Sequence, residues 1–173
     1  MGTIEIRNAE KAMLPAIRIQ RVDAYCQYME VLPAAHWNAL HKAISSTADE
    51  QEGVELITAL IDGKLAGSVA LFPAKTDAYE GYVDELDYPE IRMLAVAPEA
   101  RGKGAATALI DECISRAQAK GYGAIGLHTG EFMKDAIKVY ESFGFKRLPQ
   151  FDFEPADDGI IVRAYQLNIS DLS

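Results

Sequence analysis

"VAPEARGKGAATALI", Val96 to Ile110, sets an arginine, two glycines, a lysine and two alanines between two apolar segments. Upstream of it, "EIRMLAV" (Glu90–Val96) reads as a short buried strand. Downstream, Leu109, Ile110, Cys113, Ile114 and Ala117 recur at helical spacing. The loop between them therefore opens a helix. Free N–H groups at a helix start, backed by the helix dipole, form an anion site. Glycine at such a place lets a ligand approach the backbone closely. The stretch predicts a phosphate cradle.

Composition narrows whose phosphate it is. At 173 residues, the chain is expected to form one domain with a single core, residues 1–173. Hydrophobic residues make up 49% and charged residues 25%, which places it among soluble globular proteins. A net charge of −9 argues against nucleic-acid binding, which rests on basic patches. The two cysteines, Cys26 and Cys113, form no C-x-x-C pair and fit a reducing compartment. No apolar run reaches membrane-spanning length, and "MGTIEIR" reads as a strand instead of a signal peptide. The expectation is a cytoplasmic protein with no membrane or nucleic-acid partner.

Along the chain, "TIEIR" (residues 3–7) opens as a strand. Pro15 suits the first turn of a helix running to about Met29, with Leu14, Ile17, Tyr25 and Met29 as expected core contacts. A second helix follows Pro33, with Trp37, Leu40, His41 and Ile44 along one face. "GVELITALI" and "KLAGSVALF" flank Asp62–Gly63, a strong hairpin signal. After the glycine-bearing loop and its helix come a strand "AIGLHT" (residues 124–129) and a helix over residues 131–143. "FKRLPQFDF" and "IIVRAYQLNI" read as a closing hairpin around Asp158–Gly159. Helices and strands alternate without strict βαβ repetition, which predicts a mixed α/β fold with helices flanking the sheet.

Two patterns mislead. "GYGAIG" (residues 121–126) is a literal G-x-G-x-x-G, but it ends a helix and enters a strand, the reverse of a dinucleotide fingerprint. Its glycines suit a helix C-cap and turn. His36, His41 and His128 show no metal spacing, so no metal is expected. His128, at a strand end, either lines a pocket or packs as a hydrogen-bonded core histidine.

Residues 101–106, Arg-Gly-Lys-Gly-Ala-Ala, match the R/Q-x-x-G-x-G/A signature of the GNAT superfamily of N-acetyltransferases, and in the strand–loop–helix context that signature needs. "AIKVYESFGF" (residues 136–145) resembles the family's A-x-x-x-Y-E-x-x-G-F segment. The element order β–α–α–β–β–β–α–β–α–β–β is also similar, though the N-terminal third matches by pattern only. The resemblance implies a GNAT fold, with a central, mostly antiparallel, twisted sheet flanked by helices. It also implies acetyl-CoA as co-substrate. Arg101 would stand at the start of the loop, with Gly102, Lys103, Gly104, Ala105 and Ala106 around the coenzyme's pyrophosphate. Met93, Leu94, Ala95 and Val96 would lie on the strand that offers backbone groups to the pantetheine and thioester.

The chemistry needs proton handling. A lysine-like amine of pKa ~10.4 is only about 0.04% neutral at pH 7, and freeing it costs ~4.6 kcal/mol. The resemblance makes Glu90 the candidate base; the alternative is a solvated residue after Pro89. Tyr140 takes the place of the family tyrosine that protonates the departing CoA thiolate, or else it packs beside Val139 and Phe143. Many family members carry an asparagine that contacts CoA where this chain has Met133. That substitution either loses a polar contact or supplies packing.

"TDAYEGYVDELDYPEI" (residues 76–91) holds six acids and no lysine or arginine. It is either a solvated acidic loop or the border of an acceptor site. In the second reading, Asp84, Glu85 and Asp87 attract a cationic amine, and Tyr79, Tyr82 and Tyr88 wall it. The expected activity is direct acetyl transfer to a primary amine, a small molecule, in a ternary complex; a homodimer is compatible with it. The alternatives are a noncatalytic acyl-CoA-binding module and a protein acetyltransferase acting on a lysine or an N-terminus.

Overall fold

The computed structural model describes residues 3–75, 86–155 and 157–172. Its strands and helices are β1 (Ile4–Asn8), α1 (Leu14–Tyr25), α2 (Ala34–Ile44), β2 (Glu55–Ile61), β3 (Lys64–Phe72), β4 (Glu90–Val96), α3 (Ala105–Ala119), β5 (Ala124–Gly130), α4 (Lys134–Ser142), β6 (Lys146–Arg147) and β7 (Val162–Asn168). This is the element order the sequence predicts. The strands form one sheet in the order β1-β2-β3-β4-β5-β7-β6. The β4–β5 pair is parallel; the β1–β2, β2–β3, β5–β7 and β6–β7 pairs are antiparallel. The chain packs as two compact units, one of residues 1–71 with 93–112 and the other of residues 72–92 with 113–173.

In the first unit, the β2–β3 hairpin turns at Asp62 and Gly63, both at positive φ (52° and 81°), as a primed two-residue turn requires. Helix α1 buries Ile17, Gln20, Arg21, Ala24 and Tyr25. Gln20 accepts from the Ser68 hydroxyl on β3 at 2.9 Å. Arg21 is fully buried and donates from Nη1 to Ile44 O (2.8 Å) and to Asp49 Oδ2 (3.1 Å). Burial pushes its guanidinium below the ordinary arginine value, and the Asp49 carboxylate opposes that shift. These bonds fasten α1 to the end of α2 and the turn after it.

The expected helix to Met29 stops short. α1 ends at Tyr25, and a 3-10 turn (Cys26–Tyr28) follows it. That tighter winding takes Met29 off the buried stripe, and it is 50% exposed. On α2, His36 is buried, while His41, expected along the apolar face, is exposed.

In the second unit, α3 ends in a Schellman cap: Tyr122 N–H donates to Ala117 O (3.1 Å) and Gly121 N–H to Gln118 O (3.0 Å). The first glycine of the false dinucleotide fingerprint therefore terminates a helix. The last one, Gly126, lies under the Tyr88 ring, where a Cβ would come within 2.5 Å of Tyr88 Cε2. The closing hairpin is shorter than expected. Pro149 starts a 3-10 turn (Pro149–Phe151), so β6 keeps only Lys146–Arg147, and a single bridge joins Phe153 to Val162. Among the described residues, no helix is long and apolar enough to cross a membrane. No group of three or more His, Cys, Asp and Glu side chains among them could hold a metal ion.

Candidate active site

The first unit holds the strand–loop–helix segment. Met93 sits inside β4 at φ 58°, while the other non-glycine residues at positive φ among the described residues (Asp62, Lys75 and Asp157) lie outside the strands. An L-residue held there costs ~1–3 kcal/mol and persists only where its surroundings fix it; such strain gathers at functional sites. Met93 and Ala95 are buried, and Leu94 and Val96 are partly buried. The Leu94 carbonyl accepts from the Tyr25 hydroxyl at 3.0 Å. That oxygen is already engaged within the protein, so a ligand at this strand would draw on the segment's other backbone groups.

Beyond β4, Arg101, Gly102, Lys103 and Gly104 are exposed, with Gly102 at φ 79° and Gly104 at φ 89°. Those angles exclude side chains without strain. A Cβ on Gly102 would meet open space, and one on Gly104 only Ile4 Cδ1 at 3.6 Å. The first intrahelical bond runs from Ala108 N–H to Gly104 O (3.0 Å). The amides of Ala105, Ala106 and Thr107 therefore precede the α-helical ladder and stand at the positive end of a 15-residue helix. Open space over two left-handed glycines and a helix N-terminus suits a pyrophosphate. The Arg101 guanidinium turns the other way and donates from Nη2 to Ala24 O at 3.0 Å.

The second unit holds the titratable groups. Glu90 and His128 lie on neighbouring strands, with Glu90 Oε2 3.0 Å from His128 Nδ1; the other ring nitrogen is 3.1 Å from Phe151 O. The side chains are 8% and 2% exposed, so Glu90 is no solvated strand residue. Tyr88 stands beside them. Burial first, and then the Glu90 charge, raise its phenol above the ordinary value, while a hydrogen bond with Gln166 pulls it down. Tyr140 is buried on α4, its ring edge-on to Phe145 at 5.9 Å. Met133 accepts a hydrogen bond through sulfur from the Thr129 hydroxyl (3.3 Å) and precedes the first residue of α4. The methionine thus has a local structural partner where the resemblance places a coenzyme contact.

Asp87 is exposed. Tyr82, Asp84 and Glu85 lie outside the described residues. Within the first unit the structure gathers Met93 to Val96 and Arg101 to Ala106, and it adds Tyr25. Within the second it joins Glu90 to His128 and Tyr88. The sequence offers no fixed spacing that would have singled out Tyr25 or the Glu90–His128 pairing.

The sequence pattern of the Acetyltransferase (GNAT) family matches residues 18–145. An uncharacterized N-acetyltransferase of Schizosaccharomyces pombe is 31% identical over 74 residues, which cover 43% of this chain and 45% of that protein. The chain thus spans less than half the length of that relative. Among solved structures, an N-acetyltransferase from Staphylococcus aureus Mu50 superposes with a TM-score of 0.68 at 21% identity, over 96% of this chain and 99% of that one. A Salmonella typhimurium protein solved with its cofactor acetyl-CoA gives a TM-score of 0.63 at 18% identity, over 96% and 94%. With the element order, the glycine loop at the head of α3 and the family match over most of the chain, the protein belongs to the GNAT family of acetyltransferases.

Proposed function

We propose that this chain, as one domain over residues 1–173, is an acetyl-CoA-dependent N-acetyltransferase that transfers the acetyl group directly to a small primary amine in a ternary complex. The observation that carries the reading is the glycine loop that opens α3, following a strand with Met93 at positive φ, with open space where a pyrophosphate would lie. Backbone N–H groups of Gly102 to Ala106 hold the pyrophosphate, and those of the Met93–Val96 segment hold the pantetheine. Bound there, acetyl-CoA supplies an activated acyl group.

The protein's own groups manage the protons. The amine reaches the enzyme as an ammonium, and only its neutral form attacks, so a base must take one proton. Glu90 fills that role, with His128 on its Oε2 orienting the carboxylate. Tyr140 gives its phenolic proton to the sulfur as the thiolate leaves. Asp84, Glu85 and Asp87 draw the cationic acceptor in, and Tyr82 borders it.

The test is a panel of amines, amino acids and peptides with acetyl-CoA, reading free thiol. Release with a small amine, above the rate without acceptor, supports the reading. Tight CoA binding with no turnover across the panel contradicts it and makes the chain a noncatalytic binding module. Release with peptides alone shifts the acceptor to protein.

A further inference from the structure

The last turn of α1 touches the strand–loop segment at both ends. Tyr25 Oη donates to Leu94 O at 3.0 Å, next to the left-handed Met93. One residue earlier, Ala24 O accepts from Arg101 Nη2 at 3.0 Å, at the start of the loop. The same carbonyl accepts from Gln27 Nε2 at 3.2 Å. Ala24 is among the last four carbonyls of the helix, which lack intrahelical donors and carry the negative end of the dipole. A guanidinium is the side chain that end favours. Tyr25 is only 7% exposed, so its hydroxyl bond is sheltered from water.

The bond reaches further than the oxygen it touches. The C=O and N–H of a trans peptide lie in one plane and point in opposite directions. A hydroxyl that fixes the Leu94 carbonyl therefore also fixes the direction of the Ala95 N–H. It does so one residue past Met93, where a strained φ needs its neighbours held. The helix doing the holding is itself pinned, through buried Arg21 to Ile44 O and Asp49.

We propose that Tyr25 and Arg101 are positioning residues: they hold the segment from Met93 to the glycine loop in its coenzyme-binding shape before the coenzyme arrives. The inference rests on the coenzyme site proposed above. It assigns the Arg101 side chain to shaping the loop, and leaves pyrophosphate binding to the loop's amides.

Calorimetric titration with CoA tests it on the wild type, Tyr25→Phe, Arg101→Gln and a control, Thr58→Val. Thr58 donates from Oγ1 to Arg7 O at 2.9 Å, so the control deletes a part-buried hydroxyl-to-carbonyl bond of the same kind away from the segment. Tyr25→Phe keeps the ring and should raise the Kd for CoA about tenfold, the effect of losing one sheltered hydrogen bond. Arg101→Gln should raise it several-fold. Thr58→Val should lower the melting temperature as Tyr25→Phe does, with the Kd unchanged. A folded Tyr25→Phe protein with wild-type affinity overturns the proposal, as does an equal loss in Thr58→Val. A wild type that does not bind CoA sinks the coenzyme reading itself.

Discussion

Glu90 and His128 meet across adjacent parallel strands, Oε2 to Nδ1 at 3.0 Å, with Phe151 O 3.1 Å from the other ring nitrogen. A carboxylate and a carbonyl are both acceptors. Both contacts are satisfied only when Nε2 carries hydrogen and one further proton sits between Nδ1 and Oε2. The pair therefore behaves as a unit, and a change to either member is felt by the other.

That unit gives the first prediction. Removing one partner of a buried hydrogen-bonded pair leaves the other polar group unsatisfied, which typically costs ~1–3 kcal/mol. His128→Leu should fall in that range by chemical denaturation. Adding Glu90→Gln to it should cost less than the sum of the two single changes, by ~0.5–3 kcal/mol. Additive losses would mean that the two side chains do not act together. If Glu90 is the base, Glu90→Gln should also lower kcat by ~10²–10⁴-fold and leave CoA affinity in place.

Tyr140→Phe keeps a buried ring against Phe145 and removes the phenolic hydroxyl, the proposed proton donor. A lost general acid costs ~10²–10⁴-fold in rate. Steady-state kinetics should show kcat reduced in that range with acetyl-CoA affinity little changed, because the proton matters mainly in the transition state. Near-normal kcat, with the chemical step shown to limit turnover, would leave Tyr140 as packing.

The acidic stretch makes a salt-dependent prediction. If Asp84, Glu85 and Asp87 steer a cationic amine, changing them to Asn, Gln and Asn should raise the acceptor KM at low salt. The difference should shrink toward physiological ionic strength, where exposed charges are screened beyond ~8 Å. An unchanged low-salt KM would reduce the stretch to a solvated loop.

Local chemistry was legible in the sequence, and long-range pairing was not. The Asp62–Gly63 turn and β4 appear where turn residues and apolar runs place them. So does the loop at Gly102–Gly104, because glycine reports on its own backbone. Met93 does not, since a methionine gives no sign that its φ is positive. Glu90 and His128 are 38 residues apart, and Tyr25 and Leu94 are 69 apart. Only the sheet order and the packing of α1 bring them together. Met29 illustrates a third limit: a change from α to 3-10 winding rotates the chain, and no residue type announces it.

If residues 101–106 at the head of α3 hold the coenzyme's pyrophosphate, CoA binding must respond to a negative charge placed there. Titration calorimetry of CoA against the wild type, Gly104→Glu and Ala106→Glu reads that response. Gly104→Glu adds volume and charge in the cradle but also a side chain at φ 89°, so its own strain must be checked by melting. Ala106→Glu is free of that difficulty. It sits in the first turn of α3, where an acidic side chain favours the helix by ~0.3–1 kcal/mol while repelling phosphate. The wild type should bind CoA saturably and Ala106→Glu should not, at an equal or higher melting temperature. A folded Ala106→Glu protein that binds CoA as the wild type does would contradict a pyrophosphate site at residues 101–106.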